Sequence, residues 1–180
     1  MVLKGDPDRY GVIAAMIHWL SAAAILAMIP LGFTAADAHD PARVAALLRI
    51  HLPLGRFILV LTLARMIWWL VDVRPARPSG QPVWQHRLAS GSHLLLYGLI
   101  LLLCGSGIGI MIMSGAAPDI FSGKTGILPD FTTFPPMPVH AAAAFALIGL
   151  LILHLAAALY HQFWRRDRLF ARMRVGRREG

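Results

Sequence analysis

Four long apolar runs, at about residues 10–33, 49–71, 86–113 and 139–163, alternate with polar, proline-bearing stretches along this chain. Each run exceeds the roughly 20 residues with which a helix crosses a hydrocarbon core of about 30 Å. The pattern therefore predicts an all-α integral membrane protein, a four-transmembrane-helix up-down bundle that makes a single membrane domain of residues 1–180. The connectors run from Ala35 to Arg49, from Asp72 to Trp84 and from Ser114 to Pro138, the last with prolines at 118, 129, 135, 136 and 138. Ala36-Asp37-Ala38 looks like a leader-cleavage site, but the run before it is longer than the apolar segment of a signal peptide, about 7–15 residues, and holds His18 and Trp19. It reads as a span. Pro30 is a candidate kink near its far end.

Composition agrees: 57% of residues are hydrophobic and only 14% charged, too apolar for an ordinary soluble domain. A net charge of +8 would suit nucleic acid, yet the cations flank the apolar runs, as they do at a membrane edge, and no nucleic-acid partner is expected. Lys4, Arg9, Arg74, Arg77, Arg87 and the arginine tail from Arg165 to Arg178 gather on one side of a four-span topology. Arg43, Arg49, Arg56 and Lys124 fall on the other, and Arg65 lies within a span. The positive-inside rule then puts both termini in the cytoplasm, with a basic tail at 165–180. Trp68, Trp69, Trp84 and Trp164 fall toward the same ends, the usual interfacial place for tryptophan. A lone Cys104 excludes an internal disulfide or a cysteine-ligated metal, and reads as packing.

Histidine carries the chemistry. An imidazole in hydrocarbon is costly unless satisfied. In the fourth span His140 and His154 lie fourteen residues apart, on nearly one face and separated by about 21 Å at roughly 1.5 Å per residue. The topology sets His18 of the first span at the depth of His154, and His51 of the second at the depth of His140. Two facing imidazoles at each of two depths are what two six-coordinate haems in a helical bundle require. Unrelated histidines bonded to backbone carbonyls would not be expected to match in depth.

His18-Trp19-Leu20, His51 with Gly55 and Arg65, His140, and His154-Leu-Ala-Ala-Ala-Leu-Tyr-His161-Gln-Phe-Trp164 resemble the bacterial cytochrome b561 family over nearly the whole chain, including Arg9-Tyr10. The fourteen-residue spacing also occurs in b-type subunits of hydrogenases and formate dehydrogenases, so it marks the haem architecture more than the reaction. The resemblance implies a bacterial inner-membrane location. It also implies that His18 and His154 ligate a cytoplasm-side haem b and His51 and His140 a periplasm-side one, with no ligand from the third helix.

Further residues divide between two uses. Gly55, a turn from His51, serves either close porphyrin approach or helix packing. Arg65 calls for a haem propionate or a quinone oxygen, because an unpaired arginine at that depth is costly. Arg56 serves propionates or snorkels to the surface. Gly105-Ser-Gly107-Ile-Gly109 lacks the spacing of a dinucleotide fingerprint and suits helix packing. Met111 and Met113 suit core filling. His86, His93 and His161, with Arg9 and Trp19, gather near the cytoplasmic edge and form the expected quinone pocket, since quinone reduction needs protons and histidine titrates near neutrality.

The expected function is oxidoreductase-type electron transfer from a periplasmic one-electron donor to ubiquinone in the membrane. In one branch of the resembled family that donor is superoxide, which Arg43, Arg49, Arg56 and Lys124 would steer inward. The alternative is a haem-bearing membrane anchor for a periplasmic dehydrogenase or hydrogenase, with the third connector as docking surface. No signalling domain follows the tail to suggest a haem-based sensor, and no pattern sets an oligomeric state.

Overall fold

The computed structural model describes residues 3–7, 9–73, 82–122, 128–166 and 173, with the side chain of His86 outside that set. Among the described residues the elements are helical: α1 (Val12–Ala36), α2 (Pro41–Val71), α3 (Val83–Ser114), a short α4 (Ala117–Ser122) and α5 (Pro136–Leu159), which continues as a π-helical turn, Tyr160–Trp164. The four long helices, α5 taken with its π turn, have 25, 31, 32 and 29 residues and are each apolar enough to span a membrane. The chain is thus the four-helix integral membrane bundle that its apolar runs predict.

The ends of the spans differ from expectation. The stretch from Pro41 to Arg49, expected as connector, is the opening of α2. Asp40 caps it by accepting the Arg43 N–H at 2.9 Å, and Pro41 stands at the first helical position, where a missing N–H costs nothing. The cations Arg43 and Arg49 hide this start from a hydropathy reading. At about 1.5 Å per residue α2 is roughly 46 Å long, so it extends beyond the hydrocarbon core. Likewise α3 begins at Val83, before the expected His86, and α5 at Pro136, so that much of the third connector's proline is a helix start. Gly115 closes α3 in the left-handed region at φ 64°, a conformation cheap only for glycine.

Helix α1 packs along α2, and α3 along α5; the two hairpins touch more sparsely, chiefly through α2 and α3. Between them lies a small apolar core of Ala24 and Ile25 from α1, Ile58 from α2, Ile100 from α3 and Leu147 from α5. Hydroxyls in the spans are satisfied within their own helices. Ser21 donates to Ile17 O at 2.7 Å, Thr34 to Pro30 O at 2.7 Å and Thr62 to Ile58 O at 2.8 Å, which keeps polar atoms paired where no water can serve them. Large apolar side chains turn outward, toward lipid. Met113, expected in the core, is one of them at 53% exposed, while Met111 is half-buried. Cys104 does pack: its thiol lies 3.8 Å from Gly55 O.

Both ends of the bundle are tied down. At the end that carries the termini, Asp72 accepts the Gly5 N–H at 2.8 Å and the Trp68 indole N–H at 3.0 Å, clasping the N-terminal segment to the end of α2. Trp19 Nε1 donates to Met173 O at 2.9 Å. Bonds to a carboxylate are worth about 1.5–3 kcal/mol each when shielded, so Asp72→Ala should lower stability by about that much. Faster proteolysis ahead of Gly11 and a lower melting temperature in detergent are the readouts. At the opposite end, Arg49 Nε donates to Ile120 O at 2.5 Å, and Ile120 is fully buried, which pins α4 onto α2. Beside it a 3-10 turn, Phe131–Thr133, is capped by Asp130, whose carboxyl the Thr132 hydroxyl and N–H hold below the usual carboxylate range.

Candidate functional site

The histidines fall into two groups on either side of the apolar core. Leu147, in that core, is seven residues from both His140 and His154 on α5, so about 10 Å of helix separates it from each.

At the end away from the termini, the rings of His51 on α2 and His140 on α5 face one another with centroids 6.3 Å apart and planes tilted by 52°. The two helices are not among the closely packed pairs, so the rings meet across a gap between hairpins. Two metal–imidazole bonds of about 2 Å, plus about 1.1 Å from each ring nitrogen to its centroid, sum to about 6.2 Å. The observed centroid spacing agrees with that sum. Each ring is backed by a glycine from the other helix of its hairpin. A Cβ on Gly32 of α1 would stand 3.6 Å from His51 Cε1, and one on Gly107 of α3 only 3.4 Å from His140 Cε1. His140 Nδ1 also lies 3.0 Å from Ser106 Oγ.

At the other level each long helix contributes one basic side chain: His18 from α1, Arg65 from α2, His93 from α3 and His154 from α5. Arg65, His154 and His93 are the charge neighbours of His18. The His93 and His154 rings have centroids 5.5 Å apart at 60°. The Arg65 guanidinium lies 5.8 Å from the centre of the Tyr97 ring on α3, a cation–π contact. Its neighbours among the described residues are thus rings rather than carboxylates, and a half-buried guanidinium so placed suits an anionic or oxygen-bearing ligand.

Nδ1 of both His18 and His51 is buried without a hydrogen-bond partner. Such atoms cost about 1–3 kcal/mol each, and a ligand that fixes the ring is the customary compensation. No cluster of three or more His, Cys, Asp or Glu suited to a bare metal ion occurs among the described residues. Two-imidazole ligation of a metal whose remaining positions come from a macrocycle fits the donor set.

The remaining sequence candidates are less concentrated. His93, expected near the edge, sits ten residues into α3 with its ring beside that of His154. His161 is half-buried in the π-helical turn, edge-on to Tyr160 at 5.7 Å. Trp19 packs edge-on against His18 at 5.1 Å. Arg9 is half-buried in a turn closed by its own N–H to Asp6 Oδ1 at 3.0 Å. Gly55 sits in packing contact: a Cβ there would meet Met28 Cε at 3.7 Å, and its carbonyl faces Cys104. Arg56 is exposed on the outside of α2. The His86 side chain and Lys124 lie outside the described residues.

Sequence reasoning missed Ser106, Gly32, Tyr97 and the specific place of Gly107. The available signal was weak: small residues in the Gly105–Gly109 stretch point to close approach without saying what approaches.

The family model described as prokaryotic cytochrome b561 matches residues 9–176. Cytochrome b561 homolog 2 of Escherichia coli (strain K12) is 27% identical over 183 residues, covering 96% of this chain and 95% of that protein.

Proposed function

We propose that this chain, which belongs to the prokaryotic cytochrome b561 family, is a di-haem electron carrier joining a donor on one side of the membrane to ubiquinone within it. Membership makes it a membrane b-type cytochrome of the electron-transfer class; the number of haems, their ligands and the redox partners are our reading. The observation that carries it is the His51–His140 pair, whose 6.3 Å spacing suits one shared iron. We read His18 and His154 as the holders of the second haem: His154 lies fourteen residues from His140 along α5 and is a charge neighbour of His18, whose Nδ1 is buried without a partner.

Haem b, when bound, supplies the one-electron chemistry. The residues do the rest. His51 and His140 hold one end, with Gly32 and Gly107 leaving room for the rings to seat. His18 and His154 hold the other, where Arg65 offers a permanent cation to a propionate or to quinone oxygen. Ubiquinone takes up two electrons and two protons to become quinol. His161 and His93, toward the end that carries the termini, are the groups that would hold and deliver those protons, beside Trp19 and Arg9.

Cation distribution supports cytoplasmic termini in the inner membrane, so Arg43, Arg49 and Arg56 face the periplasm and favour an anionic donor. Superoxide fits: each anion gives up one electron and leaves as dioxygen, and two of them match one quinone. Purified protein should show a b-type reduced-minus-oxidised spectrum with two haems per chain. Superoxide pulses should reduce it at a rate that falls as salt rises. Absence of the spectrum would overturn the reading. A normal spectrum with no response to superoxide would shift the donor role to a docked periplasmic dehydrogenase or hydrogenase.

A further inference from the structure

We infer that Ser106 is a positioning residue for His140: its hydroxyl fixes which nitrogen of that ring faces the gap between the hairpins. The inference rests on the His51–His140 haem reading and adds to it a residue on a helix that supplies no ligand to that pair.

Ser106 is buried on α3 at 8% exposure, in a helix otherwise apolar at that depth. Its Oγ carries a single hydrogen. The nearest acceptor is Leu102 O at 2.7 Å, with Leu103 O at 3.1 Å, so the hydrogen goes to the preceding turn of its own helix. The lone pairs of Oγ then remain, and His140 Nδ1 lies 3.0 Å away. Only an Nδ1–H can donate to them. With the proton on Nδ1, Nε2 is the nitrogen with the free lone pair, the one able to bind a metal. This is the relation in which a hydrogen bond to one imidazole nitrogen sets the tautomer and basicity of the other.

Gly107 completes the seat. It follows Ser106 in sequence and would put a Cβ 3.4 Å from His140 Cε1 and 3.7 Å from Nδ1, tighter than the corresponding contact of Gly32 with His51. The pair is also asymmetric: His140 Nδ1 has the serine, whereas His51 Nδ1 is buried with no partner. The Leu103 carbonyl is a further hydrogen-bond partner of the His140 ring and, as a pure acceptor, it too calls for a ring N–H on this side; Ser106→Ala removes only the hydroxyl's share.

The test is a redox titration of the haem-loaded protein, with haem counted per chain. A hydrogen bond to Nδ1–H increases electron donation by the ligating nitrogen and favours ferric iron. Its removal in Ser106→Ala should therefore weaken ferric relative to ferrous binding, about tenfold if it is an ordinary second-layer partner. For a one-electron couple, tenfold is about 59 mV, upward. Only one of the two components should move, since His18 and His154 lie beyond the apolar core, and Ser106→Thr, which keeps the hydroxyl, should restore the wild-type value. Loss of one haem with retention of the other would support the inference equally. Two unmoved components, equal shifts of both, or loss of both haems would overturn it. If the wild type itself holds no haem, the functional reading fails instead, which separates the two.

Discussion

Replacing His140 by alanine is expected to halve the haem content of the purified protein, from two per chain to one, while leaving the fold intact. The ring is half-buried against Ser106 and Gly107 of α3, facing His51 of the other hairpin and outside the apolar core, so its removal empties a ligand position without opening that core. His51 would be left facing that position alone. A haem held there would then be gripped from one side only, and purification in detergent would wash it out. The other level should be unaffected, because Leu147 and its neighbours stand between. Haem-to-protein ratio and the splitting of the reduced spectrum report this directly; an unchanged ratio of two would remove His140 from the ligand set.

The second large effect separates two histidines that the structure brings together. His18→Ala should cost the other haem, whereas His93→Ala should keep both. Two imidazoles sharing an iron have centroids about 6.2 Å apart. His93 and His154 are at 5.5 Å, close enough to pack but short of that spacing, whereas His18 carries a buried nitrogen with no protein partner. His93→Ala should instead slow quinone reduction, since it removes a proton-carrying group while leaving the ligands in place. The reverse result, haem lost from the His93 variant and kept in the His18 variant, would make α3 rather than α1 the helix that holds that haem with His154.

Much of this was legible in the chain. An ionisable residue in an apolar run stands out, and the fourteen-residue interval between His140 and His154 converts directly into a shared face and a vertical distance. The four spans follow from hydropathy for the same reason. What hydropathy conceals is where a helix begins when its first turns leave the hydrocarbon. Arg43 and Arg49 made the start of α2 look like a loop, although Asp40-Pro41 is a capping signal. Likewise α3 starts at Val83, and His93, ten residues in, lies beside His154 rather than at the edge. Rotation about the helix axis is also hidden in the sequence: nothing in a glycine-and-serine stretch says whether it meets a neighbouring helix or an imidazole, and Ser106 and Gly107 turned out to meet His140. Met113 went the other way, because a helix that is apolar on all sides gives no sign of which side faces lipid.

The apolar layer of Ala24, Ile25, Ile58, Ile100 and Leu147 has one last implication. These five side chains are hydrocarbon, and the buried hydroxyls a turn away, on Ser21 and Thr62, are spent on carbonyls of their own helices, so among the described residues the layer gives a hydrogen ion no ready stepping stone. On the di-haem reading proposed above, an electron crossing this layer would do so with no proton beside it.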